Sequence, residues 1–280
     1  MRFISVDDLG DLIKILFVGD IMGGPGRRAA ANLLDGLREE HGCHLVIANA
    51  ENAAGGLGLT EPSAKALFAA GADVLTLGNH TFAKRAVAPY LDDEIRIVRP
   101  ANYPPGAPGR GWGIYRTAAG HGVGIINLLG RTFMDPVDCP FRAADEAIAE
   151  IGTHAKVIIV DIHAEATSEK IAMGRYLDGR VSAVIGTHTH VQTSDERVLD
   201  GGTAYITDVG MTGVEDSVIG MNYDLVIERF ITRMPNKFEL AEGTACLHAG
   251  VVEIDTETGR AISIDRLVAM EQPNPSFRTQ

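Results

Sequence analysis

Side chains able to hold a metal ion recur in this sequence at one kind of place, just after short apolar runs. Asp20 closes ILFVGD, Glu51 and Asn52 follow VIANA, Asn79 and His80 follow VLTLG, His163 ends VIIVDIH, and His188 and His190 follow AVIGT. Each segment alone has an ordinary explanation. Asp20 could open a turn, and Glu51 and Asn52 could be solvated loop groups. Five together are harder to dismiss, because groups at the carboxyl ends of strands in an α/β sheet converge on one crevice. Carboxylate and amide oxygens with neutral imidazoles suit Zn, Fe, Mn or Ni. Cys43, Cys139 and Cys246 stand far apart and read as small buried apolar groups, so a thiolate zinc site is disfavoured. In GTHTH, two histidines separated by one residue would face the same side if the chain there were extended. His41, His44, His121, His154 and His248 have no such company and are left out of the site.

The elements that must position these groups alternate between β-branched apolar runs and amphipathic stretches, the pattern of an α/β fold. Strands are expected at Ile15–Val18, His44–Ala48, Asp73–Leu77, Gly122–Asn127, Lys156–Ile162 and Val181–Ile185. Helices are expected at Arg27–Glu40, Glu61–Ala70, Ala143–Ile151 and Glu169–Leu177, with Thr60 and Ser168 as N-caps of the second and fourth. After Asn222 a further helix sets Ile227, Phe230, Ile231 and Met234 at helical spacing, and Cys246–Ala269 reads as a hairpin turning near Thr256–Gly259. The loop Arg99–Gly113, with four Pro and four Gly, could rim a substrate site. TDVGMTG, Thr207–Gly213, could line a pocket or simply turn tightly. Arg99, Asn102 and Arg131 are held out of the catalytic set, since an arginine can as well brace a loop.

With 280 residues, 45% of them hydrophobic, the chain is expected to form one domain over 1–280, with 1–13 a flexible extension. A net charge of -12 without a basic block argues against an extended nucleic-acid interface but admits a small anion held by metal. The first twenty residues offer neither a leader nor a membrane span, so a cytoplasmic location is expected. Gly23, Gly24 and Gly26 do not make the dinucleotide motif, and neither a P-loop nor a G-x-S-x-G elbow occurs.

The order GD, EN, GNH, a lone strand-end His and GTHTH resembles the calcineurin-like metallophosphoesterase superfamily. Two departures point to a subfamily: Ile21 and Met22 follow Asp20 where a His ligand is usual, and Glu51 replaces the bridging Asp. With NAENAAGG, LGNHTF, RPANYP, GRTF, DIHAEATSEK, GTHTHVQT and TDVGMTG, the chain from Lys14 to the C-terminal hairpin is similar to the YmdB-like phosphodiesterases. That resemblance implies a four-layer αββα sandwich with the metal site at strand C-termini. It implies a bacterial cytoplasmic enzyme that opens 2′,3′-cyclic nucleotides to 3′-nucleotides with two Fe or Mn ions and a bridging hydroxide. By position, Asp20, Asn52 and His190 would hold one ion and Asn79, His163 and His188 the other, with Glu51 bridging and His80 protonating the leaving oxygen. A phosphomonoesterase or protein phosphatase could use the same metals, and a metal-stabilised nucleotide-binding regulator is the non-enzyme alternative. The implied partner is a small phosphodiester; a second copy of the chain is a base-rate expectation, and no membrane is implied.

Overall fold

A computed structural model describes residues 12–271. The expected extension 1–13 therefore lies largely outside the described residues, except that Leu12 and Ile13 already belong to the first strand.

Two sheets carry the fold. The eight-stranded sheet is formed by β1 (Leu12–Val18), β2 (Asp20–Ile21), β3 (Leu45–Asn49), β4 (Val74–Thr76) and β5 (Ile97–Val98), with β12 (Met211–Val214), β13 (Ala245–Asp255) and β14 (Ala261–Met270). The six-stranded sheet runs β10 (Arg197–Val198), β11 (Ala204–Ile206), β9 (Ala183–Thr187), β8 (Val157–His163), β7 (Gly122–Leu129) and β6 (Trp112–Arg116). β1, β3, β4 and β5 are parallel in one sheet, and β7, β8, β9 and β11 in the other. Such strands, covered on both faces, are near-continuous Val/Ile/Leu runs.

Ile15, Phe17 and Ile47 of one sheet pack against Ile125, Ile159 and Ile185 of the other, which makes the central core. The outer face of the larger sheet is covered by α1 (Gly23–His41), α2 (Glu61–Ala69) and α3 (Ala88–Asp93) through Leu34, Leu67 and Leu91. The outer face of the smaller sheet is covered by α4 (Pro140–Ile151) and α5 (Thr167–Leu177) through Ala147, Ile151, Met173 and Leu177. The layers are thus helices, sheet, sheet, helices, the αββα sandwich the resemblance implies.

Thr60 caps α2 as expected, in a capping box with Ser63. Ser168 does not cap α5: the helix begins at Thr167, two residues earlier than expected, Ala166 takes the cap position, and no side chain satisfies it. The helix α6 (Tyr223–Thr232) forms, but its stripe Ile227, Phe230 and Ile231 is exposed, Met234 falls beyond the left-handed cap at Arg233 instead of on the helix, and Val226 is the side chain it buries. The expected hairpin is β13 and β14, paired from Cys246 to Met270.

Candidate metal centre

The parallel strands of both sheets end along one seam, and the seven ligand candidates meet there. Asp20 lies in β2, Glu51 and Asn52 follow β3, Asn79 and His80 follow β4, His163 ends β8, and His188 and His190 follow β9. Asp20, Glu51, Asn52, His163 and His190 are buried, while Asn79, His80 and His188 are half-buried.

Around Nε2 of His163 stand Nδ1 of His188 at 3.0 Å, Oδ1 of Asn79 at 3.1 Å and Oε1 of Glu51 at 3.2 Å. Glu51, His163 and His188 can all offer a ligand atom within 4.8 Å of one another. A second group lies beside it. Nε2 of His190 is 3.7 Å from Oδ1 of Asp20 and 3.3 Å from the Asn52 amide, which in turn touches Oε1 of Glu51 at 3.1 Å. Glu51 thus joins the two groups. Turning the Asn52 amide by 180° would present its oxygen to His190 and its NH2 to His80, so either ligand orientation is within reach.

Three observations say that a cation fits. Oδ1 of Asp20 is fully buried with no hydrogen-bond partner. Around His163, carboxylate, amide and imidazole acceptors crowd together with no donor among them unless a proton or a metal intervenes. Lastly, each imidazole has its outer nitrogen occupied, which turns the other inward. Nδ1 of His163 bonds the Thr187 hydroxyl at 2.8 Å, which donates onward to Asp161 at 2.7 Å. Nδ1 of His190 donates to the Ile219 carbonyl at 3.1 Å, and Nε2 of His188 lies 3.1 Å from a Glu165 carboxylate oxygen.

The electrostatics reflect this crowding. Burial works against the charged form of His163, but Glu51, Asp20 and Asp161 outweigh it and push the imidazole up to about 9. Burial and the neighbouring His163 charge push His188 down to about 4, which favours the neutral ring. Burial opposes ionisation of Glu51 and Asp20 too, yet the imidazoles beside them hold both carboxyls below their ordinary range. Behind the ligands, burial pushes Asp161 up to about 6; it accepts from Asn49 at 3.1 Å and Thr76 at 2.5 Å, stitching one sheet to the other.

Local sequence explains the closeness. A Cβ on Gly78 would stand 2.3 Å from Oε2 of Glu51 and 2.4 Å from Nε2 of His163, so the GNH segment can approach only without a side chain. His80 donates its N–H to Oε2 of Glu51 at 3.0 Å, its Nδ1 lies 2.8 Å from Oδ1 of Asn52, and its side chain is a third exposed. His188 and His190 do not share a face of extended chain. Their φ angles are 98° and 67°, left-handed conformations rare outside glycine, and a tight turn aims each ring at a different group.

The residues held in reserve are mostly braces. Arg99 donates to the carbonyls of Pro100, Ala107 and Pro108, and buried Asn102 bonds Leu129 and Asp138. Arg131 is exposed. The Arg99–Gly113 loop does reach the site, through the Tyr103 hydroxyl to the Gly78 carbonyl at 3.4 Å. Sequence reasoning missed Asp161, Thr187 and Glu165. An acid inside the apolar run VIIVDIH is the one available signal, since a buried acid needs partners.

A four-layer α/β sandwich thus gathers acid, amide and imidazole side chains at the ends of its parallel strands, in a cleft that could hold metal ions. The chain belongs to the family described as YmdB-like protein, whose model matches residues 16–267. It is 49% identical over 256 residues to a 2′,3′-cyclic-nucleotide 2′-phosphodiesterase of Bacillus subtilis, covering 91% of this chain and 97% of that one. A solved structure of a phosphatase from Mycoplasma pneumoniae superposes with a TM-score of 0.88 at 34% identity, covering 97% and 98% of the two chains. A hypothetical protein from Thermus thermophilus gives 0.87 at 45%, covering 93% and 100%. No helix among the described residues is long and apolar enough to cross a membrane.

Proposed function

We propose that this protein is a cytoplasmic phosphodiesterase that opens 2′,3′-cyclic nucleotides to 3′-nucleotides at a centre of two Fe or Mn ions. The observation that carries the reading is the pair of ligand groups joined by Glu51, with three imidazoles turned inward by their outer partners. The substrate class is supported by the activity for which the Bacillus subtilis relative is named. Asp20, Asn52 and His190 would hold one ion, Asn79, His163 and His188 the other, and Glu51 both. Bound there, the ions would acidify a water and neutralise charge growing on the phosphoryl oxygens.

The chain's own contribution is a proton and a shape. His80 stands beside the ligands with Nδ1 tied to Asn52 and Glu51, which leaves Nε2 to protonate the 2′ oxygen as its bond to phosphorus breaks. Water adds to phosphorus and the 3′ ester stays, so the product is a 3′-monophosphate. The chain is a single metallophosphoesterase domain without an extended nucleic-acid surface, a reading supported by the charge of -12. Self-association is supported by the bare face of α6 and is tested by sedimentation at micromolar concentration.

Chromatography after incubating manganese-loaded protein with 2′,3′-cyclic AMP, 3′,5′-cyclic AMP and AMP tests the reading. Selective appearance of 3′-AMP supports it. Product from AMP instead favours a phosphomonoesterase, the reading for which the Mycoplasma pneumoniae structure speaks. Binding without product from any of the three favours a nucleotide-binding regulator. His80→Ala should keep both ions and lose most turnover, about 100-fold or more if the histidine is the general acid; full activity would remove it from that role.

A further inference from the structure

The turn carrying His188 and His190 holds two left-handed, non-glycine residues with Thr189 between them. Such a conformation persists only where its surroundings enforce it. The enforcement is visible at Thr189, whose N–H and hydroxyl both donate to Oδ2 of Asp208, at 3.0 and 2.7 Å. The same oxygen accepts Nζ of Lys170 at 2.7 Å, and Oδ1 accepts the Gly210 N–H at 2.8 Å. The Asp208 backbone is stitched to the same stretch, since Thr193 donates its N–H to the Asp208 carbonyl at 2.9 Å.

Asp208 is fully buried and Lys170 shows 1% of its surface. Withdrawing an ammonium group from water is expensive, and a buried ion pair is a poor source of stability compared with apolar packing of the same volume. This pair does something apolar side chains could not do. An ionised carboxylate takes the N–H and the hydroxyl of one threonine in charge-assisted bonds stronger than a neutral oxygen would make, and the lysine lets that carboxylate stay ionised away from water. Lys170 comes from α5, which begins four residues after His163; Glu165, facing the outer nitrogen of His188, lies in the link between. The lysine stem passes over Gly186, where a Cβ would stand 3.0 Å from its Cδ.

We infer that Lys170 and Asp208 are positioning residues that clamp the Thr189 turn in its strained form, so that Nδ1 of His188 and Nε2 of His190 face into the cleft. The inference rests on the two-metal reading above. Neither side chain is hydrogen-bonded to a ligand ring; the bonds that reach the turn run through Thr189, while the Lys170 charge is felt at His188 and the Asp208 charge at His190.

Titration of metal-stripped protein with Mn(II), followed by the EPR signal of the free ion, tests the clamp on wild type, Asp208→Asn, Lys170→Met, Thr189→Val and Met173→Ala. Met173 is a core residue of the same helix with no link to the turn and controls for lost stability. Circular dichroism sets a temperature at which each chain is folded. Asp208→Asn and Lys170→Met are expected to bind Mn(II) roughly 10- to 100-fold more weakly, the usual consequence of removing an outer-shell partner. Met173→Ala should bind as wild type does despite a lower melting temperature. Should the two charge variants not fold, Thr189→Val decides, with a loss of at least about threefold expected from one missing hydrogen bond. Wild-type affinity in every variant that folds overturns the clamp alone, and a wild type that takes up no manganese overturns the two-metal reading with it.

Discussion

From the eight-stranded sheet come the proposed oxygen ligands Asp20, Glu51, Asn52 and Asn79, and from the six-stranded sheet come the three proposed imidazole ligands, His163, His188 and His190. The two halves are secured differently. The oxygen half is held by proximity: the N–H of Glu51 donates to its neighbour Asn49, the N–H of His80 donates to Glu51, and the missing side chain of Gly78 lets the segments close. The imidazole half is held from behind, by an acceptor at each outer ring nitrogen. A carboxylate has two oxygens and tolerates several approaches, whereas an imidazole has one useful lone pair and must be turned to present it. The oxygen half should therefore break when a ligand or its space is altered, and the imidazole half when residues that are not ligands are altered.

The largest effect is expected from Glu51→Gln, which keeps the size of the side chain but removes the charge that both ligand groups share. Loss of both ions and about 1000-fold of turnover should result, read by elemental analysis beside kinetics; retention of two ions would mean that Glu51 does not join the halves. Gly78→Ala comes next. Its methyl group would press on Glu51 and His163, and overpacking a buried site costs about 1–3 kcal/mol, measurable by urea unfolding, with metal content falling in parallel. Thr187→Val probes the imidazole half, keeping shape while depriving Nδ1 of His163 of its acceptor. Metal affinity should fall by roughly 10- to 100-fold with little change in melting temperature, and an unchanged affinity would erase the contrast between the halves. Glu165→Gln should do the least, a few-fold at most, because the Glu165 side chain is 48% exposed and water can replace it at His188.

The sequence discloses the oxygen half more fully than the imidazole half. Strands β3, β4, β8 and β9 are recognisable as β-branched runs, and their ligands stand at the carboxyl end of each run or just past it. β3 and β4 begin and end within a residue of expectation, since burial on both faces leaves an unmistakable apolar block. The turn after β9 departs from the extended chain expected there, because spacing alone cannot reveal two left-handed residues; they exist through contacts to Asp208 and Asp20, which lie elsewhere in the sequence. Thr187 and Ile219 leave no signal either, one being an ordinary strand residue and the other acting through its carbonyl. The stripe on α6 shows the opposite failure, a correct pattern whose direction periodicity cannot supply.

Asp20 and His188, whose backbone N–H bonds the Asp20 carboxylate, stand 168 residues apart, and the remaining ligands come from three other strand ends. No early segment of the chain, and neither sheet by itself, gathers more than part of the cluster. Loop-closure entropy must be met before such distant contacts reward it, which places the completed cluster late along the folding route. Metal uptake during refolding would then act as a clock for the docking of the two sheets, slower than the recovery of helical signal and governed by the same step that seals the central core.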